Sequence, residues 1–198
     1  MDWTGNKKST FINIGASNHT DKERDENDFY ATDPIAIELL MDEVKFNSLI
    51  LEPACGMGHL SDAMKNRGYE VHSSDLINRG YGEQVDFLSN DVNTWNGDII
   101  TNPPYKYAQE FIEKSLLITN KGALIAMFLK VQFMEGKKRK ILFKSNPPKY
   151  IYVSSSRILC AKNAEFQRMI DGGGSAVAYA WYIWEKGYTG DTILKWFN

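Results

Sequence analysis

From residue 29 onward, short apolar runs alternate with stretches whose apolar residues recur every three or four positions. "TDPIAIELLMDEV" places Ile35, Leu39 and Leu40 at helical spacing behind Asp33, a capping residue, and Pro34, whose fixed φ suits the first helical position. "SLILEPACGMGHL" predicts a buried strand over 49–53, a turn containing Gly56 and Gly58, and a helix running to about Arg67, where Gly68 stops it. "YEVHSSDL", "QVDFL" and "GDIITN" read as the second, third and fourth strands. The helix "KYAQEFIEKSLLI" follows, then the strand "ALIAMFLK", a basic helix around "GKKRKILFKSN" and the strand "KYIYVSSSR". A parallel crossover needs a helix to carry the chain back, so this alternation predicts an α/β fold with a mostly parallel sheet covered on both faces. "SAVAYAWYIWEKG" breaks the pattern. Only "NAEFQRMIDGGG" precedes it, with no helix of convincing length, so it is expected to be the antiparallel final strand of seven. Residues 1–28 are polar and without a period, and read as an arm ahead of one domain over 29–198.

Composition narrows the class of protein. A chain of 198 residues with 43% apolar and 24% charged residues, five Trp and ten each of Tyr and Phe, is that of one globular domain. The formal charge of −2 means that any nucleic-acid contact must rest on a local patch. Two cysteines, Cys55 and Cys160, make no disulfide framework, and no Cys/His spacing suits zinc, so a reducing cytoplasm and no metal are expected. No run approaches 18 apolar residues, so neither a signal peptide nor a membrane partner is expected.

Two places at predicted strand ends carry candidate chemistry. In "EPACGMGHL", Glu52 ends a strand and Gly56 and Gly58 let the following backbone approach a ligand closely, at the edge where open parallel sheets bind. The stretch is neither a Rossmann G-x-G-x-x-G nor a Walker loop. Asp75 ends the next strand, where its carboxylate can accept both hydrogen bonds of a ribose diol. The alternative is a tight turn with Asp75 as a loop cap.

"TNPPY" closes the fourth strand. An exocyclic amine on adenine is a poor nucleophile because its lone pair is delocalised into the ring. Two oxygens that accept both amine hydrogens draw the nitrogen towards a tetrahedral geometry and free that pair. Asn102 offers a side-chain acceptor and Pro103 a backbone carbonyl, which the consecutive Pro103 and Pro104 hold in an extended conformation. Tyr105 can stack on a base. Such a site works by placement towards an electrophilic methyl donor and demands no dedicated base. "SNPPKY" at 145–150 repeats the dipeptide as a plain strand breaker.

Taken together these residues resemble the S-adenosylmethionine-dependent DNA adenine-N6 methyltransferases. "EPACGMGHL" resembles their motif I, Asp75 the acid of motif II, "VDFL" motif III, "TNPPY" motif IV, and "FYATDP" the upstream motif near the methionine end of the cofactor. The order is similar to the gamma arrangement, and the chain resembles the compact members found in phages and prophages. The resemblance implies a Rossmann-like class I methyltransferase fold over residues 29 to about 187, with S-adenosyl-L-methionine as cofactor. It implies cofactor contacts from Tyr30, Thr32, Pro34, Glu52, Pro53, Ala54, Gly56, Gly58, Asp75, Leu76, Asp86, Phe87 and Asn102, and assigns the target amine to Asn102, Pro103, Pro104 and Tyr105. Many restriction-modification members carry a separate target-recognition domain. Here only "YTGDTILKWFN" follows the aromatic strand, so no such domain is expected, and a specificity partner or homodimer stays open.

The expected nucleic acid is double-stranded DNA with a flipped adenine. Lys137, Lys138 and Arg139, with Lys140, Lys144 and Lys149, form a basic cluster that can neutralise phosphates or simply solvate a helix face. Arg157 and Phe166 are further candidates for DNA contact. Three alternatives stand beside this reading: an RNA base, a protein glutamine amide, or a non-catalytic nucleic-acid-binding module of the same fold.

Overall fold

The computed structural model describes residues 29–91, 94–175 and 177–198. The predicted arm, 1–28, lies outside the described residues. Eight strands form one sheet: β2 (Leu49–Glu52), β3 (Glu70–Asp75), β4 (Glu83–Gln84), β5 (Asp98–Thr101), β6 (Leu124–Lys130), β7 (Tyr150–Ser154), β9 (Tyr179–Glu185) and β10 (Ile193–Phe197). Their order across the sheet is β10-β7-β9-β6-β5-β2-β3-β4. Only β9 runs antiparallel to its neighbours, pairing Met127 with Tyr182 on one side and Tyr152 with Trp181 on the other. Two short strands, β1 (Tyr30–Thr32) and β8 (Cys160–Lys162), make a separate antiparallel pair.

The helices are α1 (Ile35–Glu43), α2 (His59–Asn66), α3 (Ala108–Ile118), α4 (Lys137–Ser145) and α5 (Phe166–Asp171). Asp33 and Pro34 start α1 as expected. The Ile35 N–H donates to Asp33 Oδ1 at 3.1 Å, and Pro34 already has helical φ and ψ.

Both sheet faces are covered, which explains why the central strands read as unbroken apolar runs. Ile37 and Leu40 of α1 pack with Ile50, Ile100, Phe128 and Trp181 on one face. Phe111 and Ile112 of α3 pack with Ile99, Ile125, Met127 and Tyr182 on the other. Two buried indoles pin helices to β9 by their N–H groups. Trp181 donates to the Ala36 carbonyl and Trp184 to the Asn146 carbonyl, each at 2.9 Å.

The structure differs from the predicted elements in four places. Of "QVDFL", residues 84–88, only Gln84 lies in a strand, because the Asp86 carboxylate accepts the Leu88 N–H at 2.9 Å and turns the chain. The aromatic strand is not the last: Ile193–Phe197 adds a parallel eighth strand beside β7, with Phe197 buried. A six-residue helix, α5, occupies part of the short connection before β9. The β1–β8 pair was not expected, since three-residue strands are too short to show a period.

Candidate active site

The carboxyl ends of β2, β3 and β5 lie side by side, and each delivers one of the polar groups singled out in the sequence. Glu52, at the end of β2, is 2% exposed and accepts a short hydrogen bond from Ser61 Oγ, which also lies 2.6 Å from Ser73 Oγ. Burial pushes the Glu52 carboxyl up to about 8. This carboxyl therefore anchors the first turns of α2 and points into the protein.

The turn from Pro53 to Gly58 folds back on β3. Cys55 N–H donates to the Ser74 carbonyl at 2.9 Å, and Gly56 N–H donates to Asp75 Oδ2 at 2.8 Å. Pro53 is buried, as is Cys55, whose thiol burial pushes up to about 12, far from a nucleophile's range. Gly56 and Gly58 have φ of +56° and +86°. Side chains close over both: a Cβ at Gly56 would lie 2.0 Å from the Phe29 ring, and one at Gly58 2.4 Å from the Tyr81 ring. Only glycine fits either place.

The other oxygen of Asp75 accepts the Ile77 N–H at 2.9 Å, so the carboxylate is held by backbone on both sides while each oxygen keeps a second lone pair. Beside it Leu76 is 58% exposed, an apolar side chain left open at the sheet edge. A cavity of about 360 Å³ opens over the turn, lined by Phe29, Met57, Arg79 and Asn163. Phe29 and Met57 fall within "FYATDP" and "EPACGMGHL" without being singled out there, and Arg79 and Asn163 fall in neither stretch. Asn163 has φ +53°, a left-handed conformation that Asn adopts more readily than most residues, although a single Asn does not announce it in a sequence.

At the end of β5 the Asn102 carboxamide meets the β1–β8 pair. Its Nδ2 donates to Thr32 Oγ1 at 2.8 Å and faces the Tyr30 carbonyl at 3.5 Å, while Oδ1 is buried without a hydrogen-bond partner. Pro103 is buried and Pro104 exposed. The Tyr105 ring, expected to await a base, is half-buried. It stacks on Tyr179 at 6.3 Å, and Lys130 Nζ lies 4.9 Å from its centroid. Its hydroxyl is buried near Tyr179 and Cys160 without forming a well-aligned hydrogen bond, and that burial raises its pKa well above the usual phenol range.

The remaining expected residues are placed more widely. Pro34 is half-buried at the start of α1 and Ala54 half-buried in the turn. Phe87 faces the core, 5.0 Å from Phe111, so a ligand could meet its backbone but not its ring. Phe166 lies 5.7 Å from His59, over the glycine turn rather than beside Asn102. Lys137 and Lys138 are exposed in the first turn of α4. Arg139 instead donates to the Glu135 carbonyl at 3.1 Å and covers the Phe133 ring. Arg157 is exposed between β7 and β8.

No family model matches the sequence, and no curated protein does. Solved structures do. A protein from Lactococcus lactis described as a hemolysin superposes with a TM-score of 0.58 at 14% identity, over 82% of this chain and 91% of that one. A predicted O-methyltransferase from Agrobacterium tumefaciens gives 0.55 at 14% identity, over 83% and 85%. A protein described as the modification subunit of a type I restriction enzyme from Vibrio vulnificus gives 0.56 at 12% identity, over 97% of this chain but 52% of its own. This chain likewise spans 62% of a Listeria monocytogenes protein described as a class I S-adenosylmethionine-dependent methyltransferase. The architecture is the class I methyltransferase fold.

Proposed function

We propose that the protein binds S-adenosyl-L-methionine and transfers its methyl group to the N6 amine of adenine in DNA. The observation that carries this reading is the Asn102 carboxamide. Its acceptor oxygen is buried and unpartnered at the end of β5, and the first of two consecutive prolines follows it.

The residues at the sheet edge fit the cofactor. Asp75 keeps two lone pairs for a ribose diol, Gly56 and Gly58 give a backbone without side chains, and Leu76 and Met57 offer open apolar surface to a base. Tyr30, Pro34, Pro53, Ala54, Asp86 and the Phe87 backbone complete the proposed cofactor surroundings, and the buried Thr32 and Glu52 support them from beneath. When bound, S-adenosylmethionine supplies an electrophilic methyl group. Asn102 Oδ1 and the Pro103 carbonyl accept the two amine hydrogens, which localises the nitrogen lone pair and aligns it for attack. The amine proton leaves to solvent after transfer. Tyr105, with Pro104 beside it, holds the face of the flipped base once the Lys130 ammonium swings off the ring, and a stacking contact of about 1–3 kcal/mol then offsets part of the cost of unstacking. Lys137, Lys138, Arg139, Arg157 and Phe166 are the proposed contacts to DNA.

The described role of the Vibrio protein as a restriction-modification subunit supports DNA as the substrate class. Parallel incubation of DNA, RNA and protein with labelled S-adenosylmethionine, followed by nucleoside and amino-acid analysis, tests the proposal. Label recovered as N6-methyladenine in DNA is the expected result. Label found only in RNA or on glutamine overturns the substrate, because the same pair of acceptors suits those amines too.

A further inference from the structure

The unpartnered oxygen of Asn102 raises a question of orientation. A carboxamide can sit either way round, and only one way presents an acceptor to an incoming amine. Two groups face its other end. The Tyr30 carbonyl, at 3.5 Å, can only accept, so the atom turned to it must be the amide nitrogen. Thr32 Oγ1, at 2.8 Å, takes the stronger bond and is itself 3% exposed.

Both partners come from β1, held by its pairing with β8, in which Thr32 lies opposite Cys160 with Cys160 Sγ 4.0 Å from Thr32 Oγ1. Further support comes from the Asn163 N–H, which donates to the Phe29 carbonyl at 2.9 Å. The pair belongs to no other sheet, and β1 meets Asn102 by these two groups.

We propose that Thr32 is a positioning residue which, with the Tyr30 carbonyl, fixes the Asn102 carboxamide so that Oδ1 faces the substrate amine. This rests on the functional reading above, but the orientation is a property of the protein alone. A flipped amide would set its oxygen against the Tyr30 carbonyl and offer an N–H to the amine's N–H. Thr32 thus acts on the rate through Asn102.

The test compares Thr32→Val, which keeps shape and strand preference but removes the hydroxyl, with Thr32→Ser, which restores it. Thr32→Val is expected to lower kcat about 10- to 100-fold while S-adenosylmethionine affinity stays within about twofold, and Thr32→Ser to recover most of the rate. In 15N-Asn-labelled protein, the Asn102 side-chain NH2 resonances are expected to be shifted and protected in the wild type and Thr32→Ser, and to move towards solvent-exposed positions in Thr32→Val. Three results overturn the proposal: unchanged kcat in Thr32→Val, cofactor affinity lost in proportion to rate, or Thr32→Ser as impaired as Thr32→Val. Wild-type protein that leaves adenine unmethylated sinks the substrate reading instead, and the NH2 resonances still decide the orientation.

Discussion

The backbone N–H of Gly56 donates to the carboxylate of Asp75 across 2.8 Å, tying the turn after β2 to the end of β3. One acid therefore shapes the backbone of the turn and, in the proposed site, would also supply the acceptor for the ribose of the cofactor.

Removing that acid should cost twice. Asp75→Ala is expected to weaken S-adenosylmethionine binding by roughly 10- to 100-fold, the equivalent of about 1–3 kcal/mol for a charged hydrogen-bond acceptor, and to lower the melting temperature. Titration calorimetry and thermal unfolding read the two losses separately. Unchanged affinity would remove Asp75 from the cofactor site.

Gly58→Ala is expected to destabilise the fold by about 1–2 kcal/mol, from the strain of φ +86° and the collision with the Tyr81 ring. Adding Tyr81→Ala relieves the collision but not the strain, and also removes the hydroxyl that donates to Asp62 at 2.6 Å and accepts from Lys65 Nζ at 2.9 Å. Urea unfolding of both variants should therefore show only partial recovery.

Glu52 gives a pH dependence with a definite sign. Its carboxyl is raised in the folded state from 4.5 to about 8, so between those values the folded protein holds a proton that the unfolded chain has lost. This group's contribution is fully favourable below about 4.5, falls as pH rises towards 8, and is flat above. Glu52→Gln, which keeps an acceptor for Ser61, is expected to flatten that decline and to be more stable than wild type above about pH 8. Chemical unfolding across the range checks it, and a variant less stable than wild type at high pH would contradict the sign.

Asn102→Ala is expected to reduce methyl transfer at least ~1000-fold with cofactor affinity nearly unchanged, as for a residue whose interaction develops at the reacting amine. Single-turnover kinetics beside equilibrium binding separates the two.

Charge reversal at Lys137 and Lys138 should weaken DNA binding and make the slope of log K against log salt shallower by about 0.9 for each phosphate no longer neutralised. The same change places acids at the start of α4, where the helix dipole favours them, so stability should hold or rise slightly. A measured salt slope identical to wild type would mean that these lysines only solvate the helix.

The parallel core was legible because Ile99, Ile100, Ile125, Met127 and Phe128 form runs that only a sheet covered on both faces requires. The acceptor at Asn102 was legible because two prolines make the strand end visible in the sequence. What escaped notice depends on packing between distant segments. Thr32 is named by the resemblance, but its bond to Asn102, 70 residues away, and the strand that pairs with it beyond are not, because no local period marks either contact. Tyr105 looked exposed because its neighbours in sequence are polar, whereas Tyr179 and Lys130 arrive from β9 and β6 to cover it. The eighth strand, β10, is exposed from Ile193 to Trp196 and buries only Phe197, so its apolar residues follow no period of two.

The reversed direction of β9 has a consequence for how the molecule can change. Every parallel crossover must return the chain to the far edge of the sheet, so its length is constrained by the helix that spans it. The connection from β7 to β9 is exempt, because β7 ends and β9 begins at the same edge, the one where Asn102 and Asp75 sit. Residues 155–178 can therefore be lengthened, shortened or exchanged without re-threading the layers beneath, provided that the Cys160–Lys162 strand still meets β1. The fold leaves one segment free to diversify what approaches the site, while the chemistry below it stays fixed.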